Sequence, residues 1–578
     1  MGSDYALVHL KYTIPPAIIL STLYRPLCTK LDVYKIVFLI TIAVASTIPW
    51  DSYLIRNRIW TYPPNVIIGP TLFDIPLEEL FFFIIQTYNT SLLYLILNKP
   101  TLHPIFLRGD QKWKAYQWLG QVVLGAAIAL ATYAIQRRGE GMYMGLILIW
   151  AGPFLLLLWS LAYQFILGLP CINAVCPIAL STLYLWIVDT LALRRGTWVI
   201  ESSTKLGFQL WNGLEIEEAV FFLATNMLIV FGLVAFDNAL AVLHMSPKLF
   251  PVIPAWPSPI LLVKALLTPV PSYDEERLQG LRDAVARLSK KSRSFYLASG
   301  TFEGRTRIDL ILLYSFCRVA DDLVDEAGSV DAVAEWVAKL RKFLDISYGS
   351  EAKATLHDYI ESGFPASARR ALRLLPTAYL SKEPLYELLN GFEMDLRFYS
   401  HSGKTRFPIQ DDKDLLTYGL RVAGTVAHLC LDIVFHHNGS GPDRTKIIEA
   451  GNSMGIALQF VNIARDISVD AKMGRVYLPL TWLDDEELSP DSVLKNPKGT
   501  RIDKLRQQLL DRAFELYEGA RGAIEELPTE VRGSMRVAVE SYMEIGRVLR
   551  QAGYLVKADR ATVPKYRRIW VAWRALSR

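Results

Sequence analysis

The chain has 578 residues, more than one ordinary core accommodates, and 52% of them are hydrophobic with positive mean hydropathy. A net charge of +5 without a long basic tract argues against nucleic acid as a partner. The five cysteines form no CxxC pair and so indicate neither a disulfide framework nor a zinc site.

Charge is unevenly spread. Residues 1–240 hold 29 Asp, Glu, Lys and Arg, and the other 338 residues hold 90. The N-terminus lacks a basic region followed by a short apolar core and a small-residue cleavage site, so no cleaved signal peptide is expected. Apolar runs of about 20 residues, the length that crosses a bilayer, are expected at 5–24, 34–50, 78–97, 116–135, 142–166, 172–193 and 217–240. This predicts seven spans, the first interrupted by Lys11, Pro15 and Pro16. Lys and Arg are shared almost evenly between the two sets of loops, which fixes no orientation.

Within these spans "PWDSYLIRNRIW" (Pro49–Trp60) repeats as "IVDTLALRRGTW" (Ile187–Trp198), aligning Asp51 with Asp189, Arg56 with Arg194 and Trp60 with Trp198. With one inserted residue, Glu78-Glu79 falls on Glu217-Glu218, and Phe82-Phe83 on Phe221-Phe222. The copies lie four spans apart, so both acidic pairs are expected on one side; internal repeats commonly build membrane sites at their interface. A plainer reading stays open. Glutamates suit helix N-termini through the macrodipole, Asp51 and Asp189 could pair with Arg56 and Arg194, and the phenylalanines could face lipid. Seven spans also suggest an opsin, but the last has no lysine for a retinal Schiff base.

Residues 244–272 are dense in proline and cannot be helical throughout; they read as a linker between residues 1–243 and 273–578. From Tyr273 the pattern is helical and amphipathic with little β-type alternation. The whole chain is thus expected to be all-α, a polytopic bundle of about seven spans followed by a soluble helical domain.

In "LILLYSFCRVADDLVDE" (Leu310–Glu326), Asp321 and Asp325 are four apart and share a helical face. In "ALQFVNIARDISVDAKMGRVYLP" (Ala457–Pro479), Asn462, Asp466 and Asp470 repeat that spacing. One DxxxD is frequent on any exposed helix. Two of them on apolar helices point into a cavity, where converging carboxylates need a positive partner. Magnesium fits, since it takes oxygen ligands and shares them with substrate phosphates. Arg318, Arg465, Lys472 and Arg475 flank the motifs and suit phosphate oxygens. The chemistry indicated is ionisation of an allylic diphosphate.

These motifs, with "KSRSFY" (Lys291–Tyr296) and "YGLRVAGTVA" (Tyr418–Ala427), resemble phytoene synthases of the squalene/phytoene synthase family over about residues 274–578. The resemblance implies condensation of two geranylgeranyl diphosphates to a cyclopropyl intermediate and then phytoene. It also implies that Asp321, Asp325, Asp466 and Asp470 hold magnesium, or manganese in its place, with Asn462 assisting. Ser292, Tyr314, Arg318, Tyr418, Gln459, Arg465 and Tyr477 would line the substrate sites. "PWD", "PLEELFFF" and "IEEAVFF" resemble the small membrane lycopene cyclases, here in tandem, and fungi join this cyclase to a C-terminal phytoene synthase. The second copy departs from the first, with Leu214-Glu215-Ile216 in place of Ile75-Pro76-Leu77.

Closing a β-ionone ring begins with protonation of a terminal double bond and ends with loss of a proton, with no net redox change. Glu78, Glu79, Glu217 and Glu218 are the candidate acids, because a carboxylic acid at an apolar boundary retains its proton at neutral pH. Phe81, Phe82, Phe83, Phe221 and Phe222 offer ring faces to a cation. No GxGxxG stretch supports a flavin or nicotinamide site. A multi-pass protein of the lipid bilayer is expected, with the synthase part in the cytosol and a phytoene desaturase as pathway partner. The competing reading is a squalene-type synthase, which would need NADPH, carried by a non-catalytic anchor or transporter.

Overall fold

The computed structural model describes residues 2–578 apart from 64, 110–112, 202, 328, 350–352, 400–406, 440–442 and 552–562. Helices dominate, as expected, and the chain divides into two compact units, Met1–Leu278 and Gln279–Arg578.

Among its described residues the first unit contains seven helices long and apolar enough to cross a membrane: α1 (Asp4–Leu27), α2 (Lys30–Arg56), α3 (Leu77–Asn98), α4 (Lys114–Arg137), α5 (Met142–Gly168), α6 (Cys171–Arg195) and α7 (Ile216–Met245). Pro15 and Pro16 do not break α1. A π-helical turn at His9–Thr13 precedes them, and they occupy the opening turn of the segment Ile14–Tyr24, where a missing N–H costs least. The most apolar helix, α7, has 67% of its most apolar stretch buried, against 6% for α4. The bundle therefore packs around α7, while α4 lies at its edge.

Short strands organise the loops. β1 (Trp60–Thr61) pairs antiparallel with β4 (Val199–Ile200), tying the two sequence copies together. β2 (Thr71–Leu72) and β3 (Ile75–Pro76) form a hairpin immediately before α3, and β5 (Gln209–Trp211) and β6 (Leu214–Glu215) form its counterpart before α7. The first hairpin turns at Phe73 and Asp74, both at positive φ, which matches the twist of a two-residue connection. Gly213, at φ 92°, serves the second.

The linker contains a short α-helix, Pro259–Leu266, and a 3-10 turn, Val270–Ser272. Ser258 caps the α-helix by accepting from the Leu261 N–H at 3.3 Å, and Pro259 occupies its first turn.

The second unit is all-α. One of its helical stretches, Asp412–Asn438, is also long and apolar enough to span a membrane. Its apolar side chains Leu415, Leu429, Ile433 and Val434 are instead buried within the unit's own hydrophobic clusters. A π-helical turn at Leu420–Gly424 interrupts it. Opposite that turn, a side chain on Gly455 would come within 2.5 Å of the Ala423 carbonyl oxygen and 2.7 Å of Gly424 Cα. Glycine here lets the helix Arg444–Lys472, which carries the second aspartate motif, approach its neighbour backbone to backbone.

Candidate active sites

Both acidic pairs of the first unit open their helices, Glu78-Glu79 on α3 and Glu217-Glu218 on α7, and all four side chains are buried. Within each pair the two glutamates have different partners. Glu78 Oε1 accepts from the Ile68 N–H and Glu217 Oε1 from the Leu206 N–H, each at 2.7 Å, so the first member fastens the preceding loop. The second member meets phenols. Glu79 Oε2 accepts from the hydroxyls of Tyr5 and, at 2.7 Å, Tyr62. Glu218 Oε1 accepts from the Tyr143 hydroxyl at 2.7 Å.

Arg56 binds Asp74 at 2.6 Å and Arg194 binds the Asn212 carbonyl at 2.8 Å. The arginines thus hold the hairpin turns, and the alternative in which they neutralise Asp51 and Asp189 is incorrect. Those aspartates are buried, and Oδ2 of each has no hydrogen-bond partner. Asp189 Oδ1 accepts from Trp198 Nε1 at 3.2 Å, whereas the equivalent indole N–H of Trp60 is unpartnered. Glu79 lies within electrostatic reach of Asp51, Asp189 and Glu218, so the duplicated carboxyls form one group about the repeat interface.

The phenylalanines face this interface and not lipid. Phe82, Phe83, Phe221 and Phe222 are buried, and Phe82 of one copy meets Phe222 of the other edge to face, with centroids 6.0 Å apart. Phe81, half-buried, sets its edge against His9. A small cavity at the interface is lined by Tyr5, Glu79, Phe82, Asp189, Trp198 and Phe222, among others. The tyrosines had escaped the sequence reading, although Tyr5 precedes Tyr143 by the same 138 residues that separate Asp51 from Asp189. Extending the repeat back to α1 exposes the match.

In the second unit the helices Gly304–Asp325 and Arg444–Lys472 bring the aspartate motifs together. Arg318 donates to Asp321 at 2.8 Å and to Asp322 at 2.5 Å, and Arg475 donates to Asp325 at 2.8 Å. Arg465 grips both oxygens of Asp466, at 2.8 and 2.6 Å. Lys472, at the end of its helix, is exposed. Burial first, then the neighbouring Asp325, pushes the Asp321 carboxyl up to about 6. Burial and then Asp466 push Asp470 up to about 8.

Asp395, on the helix Lys382–Leu396, had not been foreseen. It is buried between Tyr418 and Tyr477, whose hydroxyls donate to it at 3.4 and 3.1 Å, and burial pushes it up to about 7 despite the nearby Arg475. It sits within electrostatic reach of Asp321, Asp325 and Asp470, and so joins the two motifs. A single aspartate in "GFEMDL" carries no spacing signal; only its burial reveals it.

The Tyr418 and Tyr477 rings stack at 4.9 Å. Asn462 accepts from Tyr542 and donates to Gln459 at 3.2 Å, while Phe295 stacks on Tyr542 at 5.1 Å and lies near Tyr314. Ser292 opens the helix Arg293–Ser299 that presents Phe295. Among the described residues no three acidic, imidazole or thiol groups are close enough to hold an ion unaided. The donor set, carboxylates already engaged by arginines, fits a hard divalent cation whose coordination is completed by phosphate oxygens.

Residues 288–567 match the family model for squalene/phytoene synthase. A bifunctional lycopene cyclase/phytoene synthase of Leptosphaeria maculans is 61% identical over 586 residues, covering 100% of both chains. Proteins of the same description from Pyrenophora tritici-repentis and Neurospora crassa are 60% and 50% identical, covering 100% and 99% of both chains. Among solved structures, a dehydrosqualene synthase in complex with ligand is similar over 52% of this chain and 97% of its own, at 23% identity and a TM-score of 0.43. With the two sites described above, this full-length similarity assigns the chain to the family of bifunctional lycopene cyclase/phytoene synthases.

Proposed function

We propose that the chain is a membrane-embedded enzyme making two separated steps of carotenoid synthesis. Residues 273–578 condense two geranylgeranyl diphosphates to phytoene through a cyclopropyl diphosphate. Residues 1–243 close the ends of lycopene into β-ionone rings, and residues 244–272 link the two parts. The observation that carries the first activity is the convergence of both aspartate motifs on Arg475 and Asp395.

Asp321, Asp325, Asp466 and Asp470, assisted by Asn462, would hold magnesium, with manganese as a substitute. Bound there, the metal neutralises the charge that develops on the departing pyrophosphate. Arg318, Arg465 and Arg475 already hold carboxylates and are placed to take phosphate oxygens beside the metal. Ser292, Tyr314 and Gln459 would complete the substrate site, a reading supported by the contacts of Gln459 with Asn462 and of Tyr314 with Phe295. The stacked rings of Tyr418 and Tyr477 offer π faces to an allylic cation and keep water from it.

The cyclase reading is supported by buried carboxyls set among aromatic rings at the repeat interface. Ring closure is an isomerisation, one proton in and one out, and calls for neither flavin nor nicotinamide. The seven long apolar helices support a multi-pass location in a bilayer, through which the apolar carotenes travel; the synthase part would face the cytosol. Because phytoene must be desaturated before it can be cyclised as lycopene, a separate phytoene desaturase acts between the two steps.

Purified full-length protein given geranylgeranyl diphosphate and magnesium without NADPH should form phytoene; absence of phytoene would overturn the synthase assignment. Bacteria that accumulate lycopene should make cyclic carotenes when they express the chain. Unchanged lycopene alongside well-expressed protein would leave the first unit as an anchor.

A further inference from the structure

Duplication offers two carboxyl pairs, Asp51 with Glu79 and Asp189 with Glu218, and hence two nominal sites. The cavity does not respect that division. It is lined by Glu79 from the first copy and Asp189 from the second, while Asp51 and Glu218 are absent from its wall. The aromatic lining is likewise shared, with Trp60 and Phe82 from one copy and Trp198, Phe221 and Phe222 from the other.

The two lining carboxyls have unlike surroundings. Glu79 Oε2 receives two phenolic O–H donors, from Tyr5 and Tyr62, an arrangement that suits a proton acceptor. Position 200, the counterpart of Tyr62, is isoleucine, so Glu218 has one phenol where Glu79 has two. Asp189 has a single indole donor on Oδ1, and its Oδ2 is buried without a partner. A carboxylic O–H there has no protein acceptor to compete with an incoming alkene.

We propose that the two copies share one ring-closing site, in which Asp189 delivers the initiating proton and Glu79 accepts the proton released at the end. This rests on the cyclase reading above. The O–H of Asp189 protonates the inner, chain-side carbon of the terminal double bond, leaving a tertiary cation on the dimethyl carbon. The nearby chain double bond attacks that cation, closing the six-membered ring and moving the charge into it. Glu79 removes the adjacent ring proton, and that electron pair becomes the ring double bond. Return of the proton from Glu79 to Asp189, directly or by water, restores the start, so no other reactant is consumed. The two ends of one lycopene are closed in succession at the same place.

The test uses the full chain in lycopene-producing bacteria, following the rate of lycopene consumption. Asp189→Asn keeps an oxygen to accept from Trp198 and removes only the exchangeable proton. It should slow consumption at least 100-fold, as should Glu79→Gln. Asp51→Asn and Glu218→Gln should stay within about 10-fold of the parent, and Asp189→Glu should recover part of the lost rate. Melting of each purified variant within a few degrees of the parent separates chemistry from misfolding, and an Asp189→Asn that melts far lower counts against the proposal.

Two independent sites predict instead a loss of about twofold from disabling either one, and that result overturns the shared site. Equal losses from Asp51→Asn and Asp189→Asn overturn the division of roles. A parent chain that forms no cyclic carotene refutes the cyclase reading itself, which is a different outcome from a parent that cyclises beside an equally active Asp189→Asn.

Discussion

Protons and metal should compete for the synthase aspartates. Burial and Asp466 push Asp470 up to about 8, and burial with Asp325 pushes Asp321 up to about 6. A divalent cation binds the carboxylate and not the acid, so its binding must expel whatever protons these groups carry. Half of Asp470 is ionised at pH 8 but only about one part in 100 at pH 6, a loss of about 50-fold in apparent affinity, or roughly 2.3 kcal/mol. Asp321, half ionised at pH 6, adds a further factor of about two, for about 100-fold overall. Manganese binding to the substrate-free full-length chain, followed by electron paramagnetic resonance at pH 6, 7 and 8, reads this directly. Working without substrate avoids the titration of the diphosphate itself. Asp470→Asn should bind weakly with a much flatter pH dependence. Affinities equal within threefold at pH 6 and pH 8, or an undiminished slope in Asp470→Asn, would refute the reasoning.

The same linkage sets metal-free stability. The native Asp470 lies above its ordinary value, so the folded state holds the proton more tightly than the unfolded state does, and stability should decline from about pH 4 to about pH 8. A melting temperature of the chelated protein that rises over that range would contradict it. Asp321→Ala or Asp466→Ala should lower phytoene formation at least about 100-fold while supplied lycopene is still cyclised, both read from pigment profiles. Gly455→Ala forces a methyl group against the backbone of Ala423 and Gly424 and should cost about 1–3 kcal/mol, measured as a lower melting temperature of the synthase unit. In the first unit, Lys35→Met leaves Asp237 without its 2.5 Å partner in a buried setting and should cost about 3–5 kcal/mol, seen as less folded protein in membranes. Pairing it with Asp237→Leu should restore much of that yield.

The spans were legible because each is a long apolar run with its own punctuation, and even the interrupted first one holds, since Pro15 and Pro16 fall in the opening turn that follows a π-helical turn. The aspartate motifs were legible because a four-residue spacing places two carboxylates on one face of a helix, and the two faces meet, with Asp466 buried, Asp321 and Asp470 half-buried and Asp325 exposed. Asp395 was not, since one acidic residue on an amphipathic helix looks the same whether it meets solvent or two tyrosine rings. The glutamate pairs were legible as pairs but not as members. Sequence treats Glu78 and Glu79 alike, whereas successive helical positions point about 100° apart. One therefore meets a loop amide and the other two phenols.

The departure of the second copy at Leu214-Glu215-Ile216 bears on how a duplicated unit loses its symmetry. Pro76 and Glu215 occupy the same place before their helices with nearly the same backbone, φ −57° and ψ 145° against φ −67° and ψ 145°. The fold thus absorbs that difference, and Glu215 is merely tied off by Lys205 at 2.9 Å and Gln209 at 3.2 Å. The difference that reaches the chemistry is elsewhere, at Tyr62 and its repeat counterpart Ile200, where one copy gains a hydroxyl on Glu79 and the other has an alkyl side chain with no donor. Ring closure asks for an acid and a base, two unlike groups, so a pair of identical carboxyl sites is not what the reaction needs. Converting Ile200 to Tyr would test this point without touching a lining carboxyl. A second donor at Glu218 should make the halves more alike, and the cyclase should gain nothing from it. A variant that cyclises several-fold faster than the parent would show that the asymmetry is incidental.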